Sequence, residues 1–295
     1  MTDRLSLEDG FLGLEEQLAP ADAPLVRVIP FGLEASVTFG GGTSKGPAAM
    51  IAASHEVELF DETLWREPVE AFRVETLVEP SIPAKVEPAL DMLASLTDEA
   101  LKEGAFPIVL GGEHSITPGA IRPFLERYPD LILLHFDAHA DLRDGYEGEH
   151  YSHAAAIRRC LDAPDLEVVS LGIRNISKEE IPFLEANRHR VHIHWAKDKR
   201  NWSLDEIIAP LKDRPIYVTF DVDGLDASLM PATGTPEPGG LFWDDVIPVL
   251  EAATKVGKFV GADVNELAPI EGFHGPNFIA AKLAYKIMSL AHCRD

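Results

Sequence analysis

The chain has 295 residues, 46% of them hydrophobic, and sets 26 lysines and arginines against 49 aspartates and glutamates, a net charge of −23. That apolar content supports one large α/β domain or two smaller ones. The acid surplus argues against nucleic acid or an anionic membrane as partner, since both require a basic surface to displace counterions, and leaves small cations as the natural ligands.

Residues 1–24 read as an acidic N-terminal arm, either loosely structured or docked as a segment bounded by Pro20 and Pro24. From residue 25 onward, continuous apolar runs at 25–29, 107–110, 131–136, 166–171, 191–195, 216–220 and 258–262 have the character of buried parallel strands. Between them, 116–127, 178–188, 203–212, 243–256 and 277–291 show helical periodicity. Strand alternating with helix predicts an α/β fold. No repeat, low-complexity tract or Ser/Gly-rich linker divides residues 25–295, which are expected to form one domain. The glycine-rich run from Gly40 to Pro47 fails the spacing of a phosphate loop, because its Lys45 neither follows Gly nor precedes Ser or Thr. A flexible loop entering a helix begun by Pro47 is expected instead. Cys160 and Cys293 make no C-x-x-C pair, and the first residues lack the apolar core of a signal peptide. With no apolar run near the ~18 residues of a membrane span, a cytoplasmic protein is expected.

The chemistry gathers where strands end. One apolar run is followed by Asp137-Ala138-His139-Ala140-Asp141, another by Asp221-Val222-Asp223-Gly224-Leu225-Asp226, and a third by Gly111-Gly112-Glu113-His114-Ser115. In an open parallel sheet, ligands bind in the crevice beyond the carboxyl ends of the strands, and the paired glycines are expected to permit a tight turn that brings His114 over that edge. Any one Asp-x-Asp is equally a turn or a helix cap, and a lone His114 is an ordinary loop histidine. Three clusters together are another matter, because buried aspartates need compensating positive charge and only Arg143 stands adjacent. Divalent metal is the economical source. Carboxylate and imidazole suit manganese, with iron, cobalt and nickel also compatible, and shared aspartates would set two ions roughly 3.5–4 Å apart. His192 and His194, with no acid beside them in sequence, read as structural.

These residues resemble the ureohydrolase family, whose members include arginase and agmatinase. The resemblance is carried by Gly-Gly-Glu-His-Ser at 111–115, Phe-Asp-Ala-His-Ala-Asp at 136–141, Ser-His-Ala at 152–154, Phe-Asp-Val-Asp-Gly-Leu-Asp-Ala-Ser at 220–228, Pro-Ala-Thr-Gly-Thr-Pro at 231–236 and Gly-Ala-Asp-Val-Asn-Glu-Leu-Ala-Pro at 261–269. It implies a three-layer α/β/α sandwich with a mainly parallel central sheet, two Mn2+ per subunit, and a homotrimer or homohexamer. One ion would be held by His114, Asp137, Asp141 and Asp221, the other by Asp137, His139, Asp221 and Asp223, with Asp137 and Asp221 bridging. Activated water would add to a guanidinium carbon, and collapse would release urea and an amine. Asp141 would relay the proton, His153 would act as proton shuttle and substrate contact, Glu266 would pair with the guanidinium, and Thr235 would orient the same end. Apart from the resemblance, His153 reads as a solvated loop histidine like His150, and Glu266 as an acid following a strand. The chain departs from the family at Glu113, where Asp is common, at Ala140 and Ala227, and through 39–47.

The segment 144–153 is acidic and similar to that of bacterial agmatinases, and an acidic rim favours an amine over a carboxylate. The expected reaction is agmatine to putrescine and urea. A guanidino acid such as guanidinobutyrate or arginine is the alternative, for which Arg143 or Arg174 would supply the rim cation. A non-catalytic binding or assembly protein on the same scaffold is the alternative from another class.

Overall fold

The computed structural model describes residues 3–293. Eight strands, β1 (Leu25–Phe31), β2 (Arg73–Thr76), β3 (Phe106–Gly111), β4 (Ile132–Phe136), β5 (Glu167–Leu171), β6 (Val191–His194), β7 (Pro215–Asp221) and β8 (Lys258–Asn265), form one sheet. Their order is β2-β1-β3-β8-β7-β4-β5-β6, every pair parallel. The helices are α1 (Gly46–Ser54), α2 (Val86–Lys102), α3 (Thr117–Arg127), α4 (Ala156–Cys160), α5 (Ile181–Ala186), α6 (Leu204–Ile208), α7 (Trp243–Val256) and α8 (Gly275–His292).

Successive side chains of a strand point to opposite faces, and here both faces are apolar. Val26, Val28, Ile108, Leu110, Ile132 and Leu134 join one core, with residues of α1, α6, α7 and α8. Ile29, Phe31, Val109, Leu133 and Val168 join the other, with residues of α2, α3, α4 and α5. Burial on both faces is why these strands read as unbroken apolar runs, and the result is the expected three-layer α/β/α fold.

Three elements escape the sequence reading, the five-residue α4 among them. β2 is a short edge strand in which only alternate residues are buried. α2 carries a helical stripe, with Val86, Leu90, Leu93, Thr97 and Leu101 buried. Two predicted helices are shorter than expected: α5 begins with Pro182 in its first turn, and α6 gives way to a 3-10 turn at Ala209–Leu211, which contains Pro210. Residues 3–24 are docked rather than loose. Phe11, Leu12 and Leu14 are buried in the first core, and the Phe11 and Leu12 N–H groups donate to Thr76 Oγ1 and Ser54 Oγ. The glycine-rich run is likewise held: the Glu34 carboxylate accepts from the Gly42 and Ser44 N–H groups and the Ser44 hydroxyl, and a 3-10 turn at Thr43–Lys45 leads into α1. Neither cysteine forms a disulfide, and no described helix is long and apolar enough to cross a membrane.

The strand order brings distant segments together. β4 pairs with β7 up to Phe136 and Phe220, and β7 pairs with β8 up to Asp221 and Asn265. β3 lies on the far side of β8. The loops bearing His114, Glu266, Asp221 and Asp137 therefore leave four adjacent strands at one edge.

Candidate active site

The loop after β3 reaches its position through close packing rather than through the tight turn expected from its glycines. Neither Gly111 nor Gly112 has a left-handed φ; a side chain at Gly112 would lie 2.0 Å from the Leu33 carbonyl oxygen. Gly224 serves the same purpose beside β4, where a Cβ would meet the Asp137 nitrogen at 2.8 Å. That proximity lets Asp223 Oδ1 accept the Ala138 N–H at 3.0 Å. Asp221 in turn accepts the Asp223 N–H at 2.8 Å, so the two aspartates are fixed relative to each other.

Two site residues sit in left-handed backbone that only glycine adopts freely, Asp141 at φ 52° and Glu266 at φ 66°. Such conformations cost of order 1–3 kcal/mol and persist where surrounding contacts impose them. Here the Asp141 carbonyl accepts the Arg158 N–H at 2.8 Å, and the Glu266 N–H donates to Gly112 at 2.7 Å.

The carboxylates and imidazoles converge on two adjacent points. His114 Nδ1 lies 3.0 Å from Asp137 Oδ2, 3.2 Å from Asp141 Oδ2 and 3.4 Å from Asp221 Oδ2. Although buried among them, that nitrogen is aimed between the oxygens and makes a well-formed hydrogen bond to none. His139 Nδ1 lies 3.0 Å from Asp223 Oδ2 and 3.5 Å from Asp137 Oδ1. Asp137 thus turns one oxygen to each imidazole.

The electrostatics of the cluster reflect a deficit of positive charge. Burial penalises the Asp221 carboxylate, and Asp223 and Asp137 add repulsion, so its carboxyl is raised well above the ordinary range. Burial and then Asp137 push Asp141 up to about 7. Burial pushes Glu266 up to about 8, against the bond from the His114 N–H. Burial opposes charge on His114 and His139, but the surrounding carboxylates prevail, raising His114 well above the ordinary value and His139 to about 12. Burial also acts on Asp137, where three neighbouring imidazoles outweigh it and hold the carboxyl well down. Buried carboxylates packed this closely favour bound positive charge. An orphaned buried imidazole nitrogen and a donor set of carboxylate oxygen and imidazole fit hard or borderline divalent ions.

Surrounding residues that sequence reasoning missed hold this array. His135 Nε2 is 2.9 Å from Asp137 Oδ2, and its Nδ1 is 3.0 Å from Ser170 Oγ; its alternation with Asp137 was the available signal. Asp263, fully buried, accepts from Thr219 at 2.6 Å, Asn265 at 2.6 Å, Tyr217 at 2.9 Å and Thr117 at 3.1 Å. Nothing in the order of the chain places Thr219 and Asp263 beside His114.

A cleft of about 320 Å³ opens over the cluster, lined by His114, His139, Asp141, His153, Asp221, Asp223, Thr235 and Glu266, with Asp137 buried beneath. All the site residues expected from the sequence are therefore brought to one place. The acidic rim is not built as expected. Asp144 pairs with Arg158 and Arg159 at 3.4 and 2.8 Å, and Glu149 accepts the Tyr151 N–H; neither they nor Glu147 line the cleft. The cleft-lining carboxylates outside the expected site residues are Glu237 and the buried Glu180, which accepts the Leu142 and Ser177 N–H groups. Arg174 is unavailable as a rim cation, because its guanidinium donates to the carbonyls of Gly172, Asp223, Gly224, Leu225 and Glu237. His192 does have an acid beside it in space, Glu167 on the neighbouring strand at 3.3 Å.

A model of the arginase family matches residues 25–290. The chain is 34% identical over 288 residues to the N(1)-aminopropylagmatine ureohydrolase of Synechocystis sp., covering 94% of this chain and 92% of that protein. It is 34% identical over 257 residues to the agmatinase of Bacillus anthracis, covering 86% and 87%. Among solved structures, the agmatine ureohydrolase of Thermoplasma volcanium superposes with a TM-score of 0.81 at 28% identity, covering 98% of this chain and 96% of that one.

Proposed function

The chain belongs to the arginase family of hydrolases, and we propose that it converts agmatine to putrescine and urea with two Mn2+ ions. His114, Asp137, Asp141 and Asp221 would hold one ion, and Asp137, His139, Asp221 and Asp223 the other. When bound, the ions supply an activated water and electrostatic support for its addition to a guanidinium carbon, which resonance makes a poor electrophile. Glu266, anchored through Oε1 by the His114 N–H at 2.6 Å, pairs with the guanidinium by charge-assisted hydrogen bonds. Thr235 orients the same end of the substrate. Asp141 passes a proton towards the leaving nitrogen, and His153 exchanges protons between cleft and solvent. Cleavage of the carbon–nitrogen bond then yields urea and the amine.

The observation that carries this reading is Asp137, with its two oxygens 3.0 and 3.5 Å from two different imidazoles, the arrangement a shared ligand needs. An amine tail is supported by Glu180 and Glu237, the cleft-lining carboxylates outside the ligand set and the guanidinium contact, which stand beside one arginine, Arg143. N(1)-aminopropylagmatine, a longer cationic guanidine, is the second reading, favoured by the Synechocystis relative of that specificity. A guanidino acid would depend on Arg143, which faces Glu179 at 3.4 Å. A non-catalytic scaffold has less support, since every inferred ligand position is filled. A cytoplasmic homotrimer or homohexamer completes the proposal, and light scattering on the purified chain tests its size.

Urea release from agmatine, N(1)-aminopropylagmatine, arginine and guanidinobutyrate, with Mn2+ present, tests the specificity. A cationic guanidine without a carboxylate is expected to be preferred. Preference for arginine or guanidinobutyrate overturns the amine-tail assignment, and fewer than two ions bound with no urea from any compound overturns the reaction.

A further inference from the structure

The hydrogen bonds around His153 determine where its proton resides. Glu113 is fully buried, and its carboxylate accepts four hydrogen bonds. Oε2 receives the Ala35 and Ser36 N–H groups at 2.7 and 2.6 Å. Oε1 receives the Ser36 and Ser115 hydroxyls at 2.9 and 2.5 Å. A hydroxyl has one proton, so the Ser36 hydroxyl, committed to Glu113, can only accept from any other neighbour. Those neighbours are the His153 N–H at 3.0 Å and His153 Nδ1 at 3.1 Å. Two lone pairs do not face each other across such a distance, so Nδ1 carries the hydrogen and directs it at Ser36 in preference to the more distant Ser152 hydroxyl at 3.4 Å. In the neutral ring the other nitrogen is then an acceptor, and Nε2 receives the Thr38 hydroxyl at 2.7 Å. Thr38 and His153 line the cleft; Ser36 does not.

We propose that Ser36 and Glu113 are positioning residues that hold His153 as its Nδ1–H tautomer, keeping the Nε2 lone pair as the basic site on the cleft side. The inference rests on the reading of His153 as the group that moves protons. It gives a use to two residues outside the ligand array, and to the carboxylate at 113 where the family commonly has the shorter Asp. Protons enter and leave by Nε2 and Thr38, since the Ser36 hydroxyl is pinned by the carboxylate behind it. Unconstrained histidine in water favours the opposite tautomer, so the environment here selects the less common form.

Nitrogen NMR of the full chain labelled with 15N-histidine, loaded with Zn2+ in place of paramagnetic ions and held at about pH 8 where an ordinary imidazole is neutral, tests the assignment. His153→Gln identifies the resonances by their disappearance. The wild-type spectrum is expected to show a protonated Nδ1 and an unprotonated Nε2 for His153; Ser36→Thr retains this pattern, and Ser36→Ala moves the proton to Nε2. An Nε2–H form in the wild type, or an unchanged Nδ1–H form in a folded Ser36→Ala variant, overturns the proposal. The wild-type spectrum decides the tautomer even if Ser36→Ala fails to fold. No guanidine is present in the measurement, so a failed substrate panel and a failed tautomer assignment are separate results.

Discussion

Thr219 Oγ1 lies 2.9 Å from His114 Nε2 on the side of the imidazole away from the carboxylate cluster. Its own proton goes to Asp263 at 2.6 Å, so it accepts from Nε2–H and fixes Nδ1 as the ring nitrogen that faces Asp137, Asp141 and Asp221. Outer partners of this kind set ligand orientation, and their loss typically costs 10–100-fold in metal affinity. Asp263→Asn replaces an acceptor of four hydrogen bonds by a group that must donate to some of them. Mn2+ affinity measured by calorimetry is expected to fall by about 10-fold or more. Unchanged affinity in a folded variant would remove Asp263 from this role.

Asp221→Asn separates function from stability. The side-chain oxygen of asparagine can still accept the Asp223 N–H, while the repulsion that raises the Asp221 carboxyl disappears. With chelator present, the variant is expected to melt higher than the wild type, by about 2 °C per kcal/mol, the large-chain end of the scaling. Urea release with Mn2+ is expected to fall by more than about 100-fold, since a shared ligand has been weakened. Lower stability in chelator together with full turnover would contradict both expectations.

The chelated protein should lose stability as pH rises. Asp141 and Glu266 have folded values of about 7 and 8, above their ordinary 3.8 and 4.5, so the folded chain holds more protons than the unfolded chain between those limits. His139, raised from 6.5 to about 12, contributes stability below 6.5 that declines as pH rises towards its folded value. All three act in the same direction. Thermal melts between about pH 5 and pH 8.5 should show a falling midpoint in chelator. Mn2+ should counter the fall most at the high end, because metal competes with protons for the same atoms. A midpoint that climbs through this window in chelator would refute the charge deficit.

Far from the cleft, Lys286 Nζ lies 2.8 Å from Asp61 Oδ2, with only 7% and 9% of the two side chains exposed. Burial opposes the Asp61 charge, yet Lys286 and the Thr63 and Leu64 N–H groups hold its carboxyl low. Lys286→Met leaves that carboxylate without its cation, and breaking a buried pair in this way costs about 3–5 kcal/mol. Urea denaturation is expected to show a loss of that order, while kcat/KM for the preferred guanidine remains near the wild-type value. The double variant Asp61→Asn/Lys286→Met should recover part of the stability; no recovery would mean that packing, not charge, holds this contact.

Much of the molecule is legible in the chain. Strands buried on both faces announce themselves as apolar runs, so β3, β4, β7 and β8 lie close to where the residues indicate. β2 does not, since an edge strand of four residues with alternating burial has too little pattern. The ligand-type residues are equally visible, because aspartate and histidine just beyond a strand combine a costly residue type with a functional position.

The order of residues does not specify which of these groups meet. Asp137 and Asp221 come together because β4 and β7 are neighbours in the sheet, a pairing of segments remote in sequence. The same holds for His114 with Thr219 and for Glu113 and Ser36 with His153. Composition proposed a preference for cations, and the chain proposed which residues would meet them. Only the tertiary structure lined the cleft with Glu180 and Glu237 in place of the acids of 144–153, engaged Arg174 with backbone carbonyls, and chose a tautomer for His153. Residue type limits what a side chain can donate, accept or ligate; strand order and loop packing decide which partner stands opposite it.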